Sequence, residues 1–406
     1  MTASSFAAVG LADGSEIAAA LKAAMAGGLP VAPLPTEPNE RRQVLEMLQP
    51  RQPVPEPDIA AIVATSGSTG KAKGVLLSRS AIQASAEATS RRLGGPGHWV
   101  LALPAHYVAG LMVLARCLVG GTSAYPTAPD LSDLPEVVGS LPGRRYISVV
   151  PTQLVRALQY PERARALASF DAVLVGGAAV DPLVLDRART AGVAVVTTYG
   201  MSETCGGCVY DGVPLDCAEV SLEPATQRVL MRGAMLFSGY RLRPDLTAAA
   251  LTGARPTGPG RSSAGLSRPT LRTQDRGQLV AGRLAVLGRV DDVVISGGMN
   301  VDLAAVERAC RRWLETTGRR GEVAVVGVPD PEWGTRIVAV TDVSGSVVGL
   351  RSALLRSLPG YALPRLLVRL DVLPRTSSGK IDRQRLVGAI ADVAVAAVPF
   401  DQGEPA

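Results

Sequence analysis

Two short segments of this chain carry the residue types that handle phosphate. One is Thr65-Ser-Gly-Ser-Thr-Gly-Lys-Ala-Lys-Gly-Val75, the other Pro374-Arg-Thr-Ser-Ser-Gly-Lys-Ile-Asp-Arg383. Between them they hold Lys71, Lys73 and Lys380, three of only four lysines in the sequence; the fourth is Lys22 and every other basic residue is arginine. An ammonium is a compact, rotatable point charge that a planar guanidinium does not replace at a tight site. In the first segment Gly67 and Gly70 let backbone N–H groups converge, and the hydroxyls of Thr65, Ser66, Ser68 and Thr69 add donors. Lys71 and Lys73 offset the charge of a polyphosphate. It is not a Walker A loop, because Thr65 stands where that pattern needs glycine and Ala72 where it needs Ser or Thr. A flexible surface turn would leave the concentration of lysines unexplained.

The elements around these segments read as α/β. Short apolar runs (Ile59 to Ala64, Trp99 to Leu103, Tyr146 to Val150, Ala172 to Val175, Val193 to Val196) alternate with amphipathic helical patterns such as Thr152 to Leu158, as in mainly parallel sheets. Residues 222–242 and 278–290 alternate polar and apolar with glycine breaks, which predicts a small antiparallel sheet region; Thr252 to Pro269, rich in Gly, Pro, Arg, Ser and Thr, predicts a mobile loop. A new αβ pattern starts after Gly288-Arg-Val-Asp-Asp292. It has strands near Val293 to Ser296, Val323 to Val328, Ile337 to Val343 and Leu366 to Leu370, and helices near Leu303 to Leu314, Gly349 to Leu358 and after Arg383. The expected organisation is a large N-terminal domain, 1–290, and a small mobile α+β C-terminal domain, 291–406, with the hinge at Asp291.

Composition narrows the function. At 406 residues and 47% apolar content the chain can build two cores, and its net charge of +6 is spread among acids without a basic tract. Nucleic-acid binding therefore has no specific support, whereas a small phosphate-bearing substrate suits the sign. The five cysteines lack the spacing of a disulfide framework, which points to a reducing, cytoplasmic setting. Cys205-Gly-Gly-Cys208 has CxxC spacing, but no second pair completes a zinc site and the only histidines are His98 and His106. No apolar run approaches a membrane span, so no membrane insertion is expected.

Beyond the phosphate loop, further motifs follow in order: Gly176-Gly-Ala178, Tyr199-Gly-Met-Ser-Glu-Thr204, Phe237-Ser-Gly-Tyr240, Arg272-Thr-Gln-Asp275, Gly288-Arg-Val-Asp-Asp292, Ser296-Gly-Gly298 and the Lys380 segment. In this series the chain resembles the adenylate-forming superfamily of acyl-CoA synthetases, luciferases and peptide-synthetase adenylation domains, over nearly the whole length from residue 59. The resemblance implies that Gly176, Gly177, Ala178, Tyr199 and Gly200 flank adenine, where missing side chains admit the base and an aromatic ring can stack. Asp275 would accept from the ribose hydroxyls with Arg289 beside it. Ser202 would lie near the α-phosphate and Glu203 near Mg2+, an ion content with one or two carboxylates plus phosphate oxygens and water.

The resemblance also makes Lys380 the principal catalytic residue, stabilising charge on the α-phosphate and the leaving pyrophosphate as a carboxylate attacks. Asp291 would be the pivot of a C-terminal domain rotation that withdraws Lys380 and brings Ser296, Gly297 and Gly298 toward the acyl adenylate for thiol attack by CoA. His106 would gate the passage between acyl pocket and thiol tunnel; a packed or capping histidine is the plainer alternative.

Within the superfamily the early phosphate loop, Tyr199 to Cys205 and Ile295-Ser-Gly-Gly-Met-Asn-Val301 look most like the o-succinylbenzoate–CoA ligases of menaquinone biosynthesis, in an N-terminally shortened form. The implied reaction joins a small carboxylic acid to ATP, then to CoA as co-substrate. A CoA ligase for another aryl or acyl acid, a carrier-loading adenylating enzyme, and a nucleotide-binding protein without chemistry are the alternatives, and a homodimer is left open. Gln274 departs from the glycine usual before the ribose-binding Asp, which could shift that contact.

Overall fold

Strands rich in Val, Ile, Leu and Ala that are buried on both faces need cover on both sides, and here helices supply it. The computed structural model describes residues 6–10, 14–56, 58–65, 72–253, 269–319, 321–376 and 380–396. The chain forms two compact units: Met1–Leu222 with Leu230–Thr273 and Leu279–Ala285, and Glu223–Val229 with Gln274–Gln278 and Val286–Ala406.

The first unit contains a seven-stranded sheet in the order Val213–Pro214, Gly206–Tyr210, Val195–Met201, Ala172–Val175, Arg145–Val149, His98–Leu101, Ala124–Pro126. The five strands from Val195–Met201 to Ala124–Pro126 are mutually parallel, and Gly206–Tyr210 adds antiparallel. Its core includes Val100, Ile147, Val149, Leu154, Val173 and Val175. A five-stranded sheet follows the order Ala7–Gly10, Val31–Leu34, Ile59–Thr65, Lys73–Ser78, Gly239–Tyr240. Its first two strands, with the helices Ser15–Met25 and Pro38–Leu48, come from an N-terminal stretch that carries no motif. They run parallel to Ile59–Thr65 and so extend the sheet that bears the antiparallel pair Ile59–Thr65 and Lys73–Ser78. The expected antiparallel region is a sheet in the order Ala218–Leu222, Arg228–Gly233, Thr270–Val280, Leu251–Thr252, with Arg283–Arg289 paired to Thr270–Val280. Most of the expected mobile loop, residues 254–268, lies outside the described residues.

In the second unit, Val323–Asp330, Gly334–Thr341 and Leu366–Arg369 form a three-stranded sheet whose period of two sorts side chains into two cores. Val323, Val325, Ile337 and Ala339 pack with Val306, Cys310 and Trp313 of the helix Leu303–Thr316. Ala324, Val326, Val338 and Val340 pack with Leu386 and Ile390 of the helix Arg383–Ala396. A separate hairpin, Val293–Ser296 with Met299–Asp302, turns at Gly297-Gly298. Both glycines have positive φ (58° and 76°), the conformation a two-residue type I′ turn demands.

The mixed α/β class expected from the sequence is thus what the chain adopts. Differences are at element ends: the strand read as Trp99 to Leu103 is His98–Leu101, and that read as Val193 to Val196 is Val195–Met201, continuing through Tyr199-Gly-Met201.

Candidate active site

In parallel α/β sheets ligands gather beyond the carboxyl ends of the strands, and the candidate segments leave from there. Gly176-Gly-Ala178 follows Ala172–Val175, Ser202-Glu203 follows Val195–Met201 as a short 3-10 turn, and the turn bearing His106 follows His98–Leu101. Close backbone approach explains two glycines. A Cβ on Gly176 would lie 2.2 Å from Thr198 Oγ1, and one on Gly200 would lie 2.0 Å from Gly206 O across the antiparallel pair Gly200/Gly207. Thr204 locks the end of the segment: its hydroxyl accepts from Met201 N (2.9 Å) and donates to Gly206 O (2.7 Å) or Met201 O (3.0 Å).

Ser66, Gly67, Ser68, Thr69, Gly70 and Lys71 lie outside the described residues, but both stems of their loop are in place. Thr65 pairs with Lys73 across the hairpin. The Lys73 ammonium stands 5.1 Å from the centroid of the Tyr240 ring. Tyr240 sits on the neighbouring edge strand opposite Val75, and its hydroxyl donates to Glu203 Oε1 at 2.7 Å. Phe237 packs edge-on against Tyr240 (4.9 Å between centroids) while its N–H donates to Glu203 O at 2.9 Å. Three motifs far apart in sequence therefore meet around the Tyr240 ring. Burial first, and then the Glu203 charge, push the Tyr240 phenol far above its ordinary pKa, so it remains a donor. The sequence marked Phe237-Ser-Gly-Tyr240 as a motif but gave Tyr240 no task.

His106 is half-buried, with its ring 4.2 Å from that of Tyr107. Desolvation lowers its pKa, which favours the neutral imidazole. Gly110 allows the following helix, Val108–Gly120, to begin tight under this turn: a Cβ there would meet Pro104 O at 2.4 Å. Cys205 and Cys208 are buried, and desolvation raises both thiols, Cys208 to about 12. Neither resembles a reactive thiolate, and among the described residues no group of three His, Cys, Asp or Glu side chains could hold a metal.

The second unit carries the other candidates. Arg289 makes a two-point bond to Asp291, both distances 2.8 Å. Burial opposes ionisation of Asp291, yet this guanidinium holds its carboxyl below the usual range. Gln274, the departure from the family pattern, keeps a backbone role: its carbonyl accepts from Val290 N at 2.7 Å, while its side-chain oxygen accepts from Arg228 at 3.1 Å. Asp275 is half-buried next to it.

Lys380 is fixed by the Arg375/Ile381 bridge beside it and by Thr376 N donating to Lys380 O at 2.8 Å. Arginines bolt that bridge on both sides. Arg375 pairs with Glu322, and Arg383 donates to Val325 O (2.7 Å) and to the buried Glu307 (2.8 Å), which also holds Arg311. The lysine itself is exposed at the surface, although enough protein surrounds its ammonium for desolvation to lower its pKa. Asp275 opposes that shift and Arg289 adds to it. Ser296 is buried with no partner for its hydroxyl among the described residues, and a Cβ on Gly297 would meet the Trp333 ring at 2.7 Å.

Known proteins match this arrangement. Residues 11–237 match the AMP-binding enzyme family and residues 320–380 the AMP-binding enzyme C-terminal domain. A protein of Mycobacterium tuberculosis named probable 2-succinylbenzoate–CoA ligase is 39% identical over 369 residues, covering 87% of this chain and 90% of its own. The 2-succinylbenzoate–CoA ligase of Enterococcus faecalis is 30% identical, covering 83% and 71%. Among solved structures, o-succinylbenzoate coenzyme A synthetase (MenE) from Bacillus subtilis, in complex with ATP and magnesium ion, superposes with a TM-score of 0.76 at 25% identity, covering 94% of this chain and 89% of that one. Amide bond synthetase McbA from Marinactinospora thermotolerans shares the fold, with a TM-score of 0.76 at 21% identity, covering 96% and 90%. Motifs, fold and relatives agree that this chain belongs to the AMP-binding enzyme family.

Proposed function

We propose that this protein is an AMP-forming acid–CoA ligase that converts o-succinylbenzoate, ATP and CoA to o-succinylbenzoyl-CoA, AMP and pyrophosphate. The observation that carries the reading is the Lys73–Tyr240–Glu203 group, which joins the stem of a phosphate loop to a carboxylate at the carboxyl end of a parallel sheet. The identity of 39% to the M. tuberculosis relative supports the acid named.

The donor set fits Mg2+. Tyr240 occupies Glu203 Oε1, and among the described residues Oε2 has no hydrogen-bond partner, which suits an ion needing one carboxylate oxygen besides phosphate and water. Glu203 would hold it, and bound magnesium would neutralise charge on the phosphates. Thr65, Lys73 and the loop residues Ser66 to Lys71 cradle the β- and γ-phosphates, with Ser202 donating at the α-phosphate. Gly176, Gly177 and Ala178 admit the adenine edge and Tyr199 stacks on it; Asp275 and Arg289 orient the ribose. As the acid's carboxylate attacks the α-phosphorus and the bond to pyrophosphate breaks, the Lys380 ammonium stabilises charge on both oxygen sets. In the second half-reaction the CoA thiol replaces AMP on the acyl carbon, with Ser296, Gly297 and Gly298 lining its approach, His106 gating it and Asp291 as pivot. A cytoplasmic location belongs to this reading: five free thiols, four of them buried, suit a reducing compartment. Among the described residues, no helix is long and apolar enough to cross a membrane.

Incubation with ATP, Mg2+, CoA and a panel of aryl and acyl acids, followed by mass identification of the thioester, tests it. A thioester with o-succinylbenzoate is expected. Product only with another acid sinks the substrate assignment, and no AMP formation with any acid sinks the ligase.

A further inference from the structure

Arg116 lies in the helix Val108–Gly120 as its single charged residue, and it is only 8% exposed. A buried guanidinium normally has its charge and its five N–H donors matched. The other buried arginine of this unit, Arg241, obeys that rule: it donates to the carbonyls of Leu48, Gln49, Gln52 and Pro53 at 2.5 to 3.2 Å. Arg116 does not. Its guanidinium stacks 4.8 Å over the Trp99 ring, no protein acceptor reaches its Nε, and no carboxylate pairs with it among the described residues. The acid of the adjoining helix, Glu87, pairs with Arg91 instead, as does Asp216. Nor do the carbonyls ending that helix serve it: Thr89 O, Ser90 O and Arg91 O accept from Leu93, Gly95 and Gly94, and none is hydrogen-bonded to Arg116.

Beside Arg116 is a cleft of about 10 Å³, lined also by Thr89, Ser90, Pro96, Trp99 and Tyr146. That volume admits one water-sized or halide-sized occupant. A stacked guanidinium still presents its in-plane N–H edge, and the Ser90 hydroxyl, which makes no hydrogen bond among the described residues, adds a donor. We propose that this cleft binds one small monovalent inorganic anion of halide size, with Arg116 as its counter-charge and Ser90 as a second donor. The anion would complete the charge balance of the helix that begins directly after the His106 turn.

The full-length protein tests this with chloride and bromide as probes. At constant ionic strength, replacing gluconate by chloride should raise the melting temperature saturably. Chloride at tenfold its Kd corresponds to an elevenfold shift of the folding equilibrium. Chloride NMR line broadening by the wild type should be displaced by bromide, and crystals grown in bromide should show anomalous density within contact of Arg116. R116M, which keeps the bulk without the charge, should lose the chloride-dependent shift; if R116M does not fold, S90A should weaken it. A melting temperature indifferent to the anion exchange, or bromide distributed over surface arginines with none at Arg116, overturns the proposal.

Discussion

Replacing Tyr240 by Phe isolates one contact of the proposed site. The ring stays, and with it the packing on Phe237 and the face presented to Lys73; only the 2.7 Å hydrogen bond to Glu203 is removed. A hydrogen bond to a charged group contributes about 1.5–3 kcal/mol, which at 1.36 kcal/mol per decade corresponds to roughly a 10- to 150-fold effect. If Tyr240 holds the carboxylate in the orientation that adenylation uses, that factor should appear in kcat/KM for acid-dependent pyrophosphate release, together with a raised Mg2+ requirement. Conversion of supplied acyl adenylate to thioester should change less than about threefold, well below that range. The phenol stays protonated because burial and the Glu203 charge raise its pKa, so the defect should be constant across the neutral range. Tyr240→Leu should add the loss of the cation–π contact, about 0.5–1 kcal/mol. Unaltered pyrophosphate release in Tyr240→Phe, or equal loss in both half-reactions, would refute a positioning role for this hydroxyl.

Lys380→Ala should lower adenylation by about 100- to 1,000-fold while leaving thioester formation from supplied acyl adenylate nearly intact, measured as separate half-reactions; equal losses would remove Lys380 from its proposed task. Arg383→Ala deprives buried Glu307 of one of its two guanidinium partners and should cost roughly 2 kcal/mol in urea unfolding, with Arg383→Lys recovering part. His106 has a folded-state pKa below the ordinary 6.5 because of burial. The unfolded chain therefore takes up the proton first, and the stability this residue contributes is complete above about pH 6.5 and lost as pH falls through the folded value. His106→Gln should flatten that acidic limb of a melting-temperature profile; an unchanged limb would contradict the buried, neutral imidazole.

The lysine-bearing segments were legible because charge type and glycine content are local properties. Helices and strands around them followed from periodicity, with ends displaced by a few residues: the pairing of Gly200 with Gly207 carries the strand through Met201, and side-chain periodicity carries no mark of a pairing between two glycines. Nothing local distinguishes residues 7–34 as sheet members, since their strands are four residues long and the second joins the sheet through Ile59–Thr65. Tyr240 was visible as a motif member, but its partner lies 37 residues upstream, and only the edge pairing of Gly239-Tyr240 with Val75-Leu76 brings the two together. For Arg116 a signal did exist: a lone charge in an otherwise apolar helical run. Its significance needed the further finding that no acceptor faces it.

The glycine contact at position 200 also sets where this protein can evolve. A methyl group there would sit 2.0 Å from a backbone oxygen, and backbone cannot rotate away as a side chain can. Tyr199, Ser202 and Glu203 are thus carried on a rail that tolerates no drift in sequence at its joint, and libraries that randomise this stretch should return it unchanged. Novelty in the acid accepted must instead accumulate on surfaces with room to yield, so selection for new substrates should leave the strand proposed to face the nucleotide as a fixed datum and remodel the turns around His106.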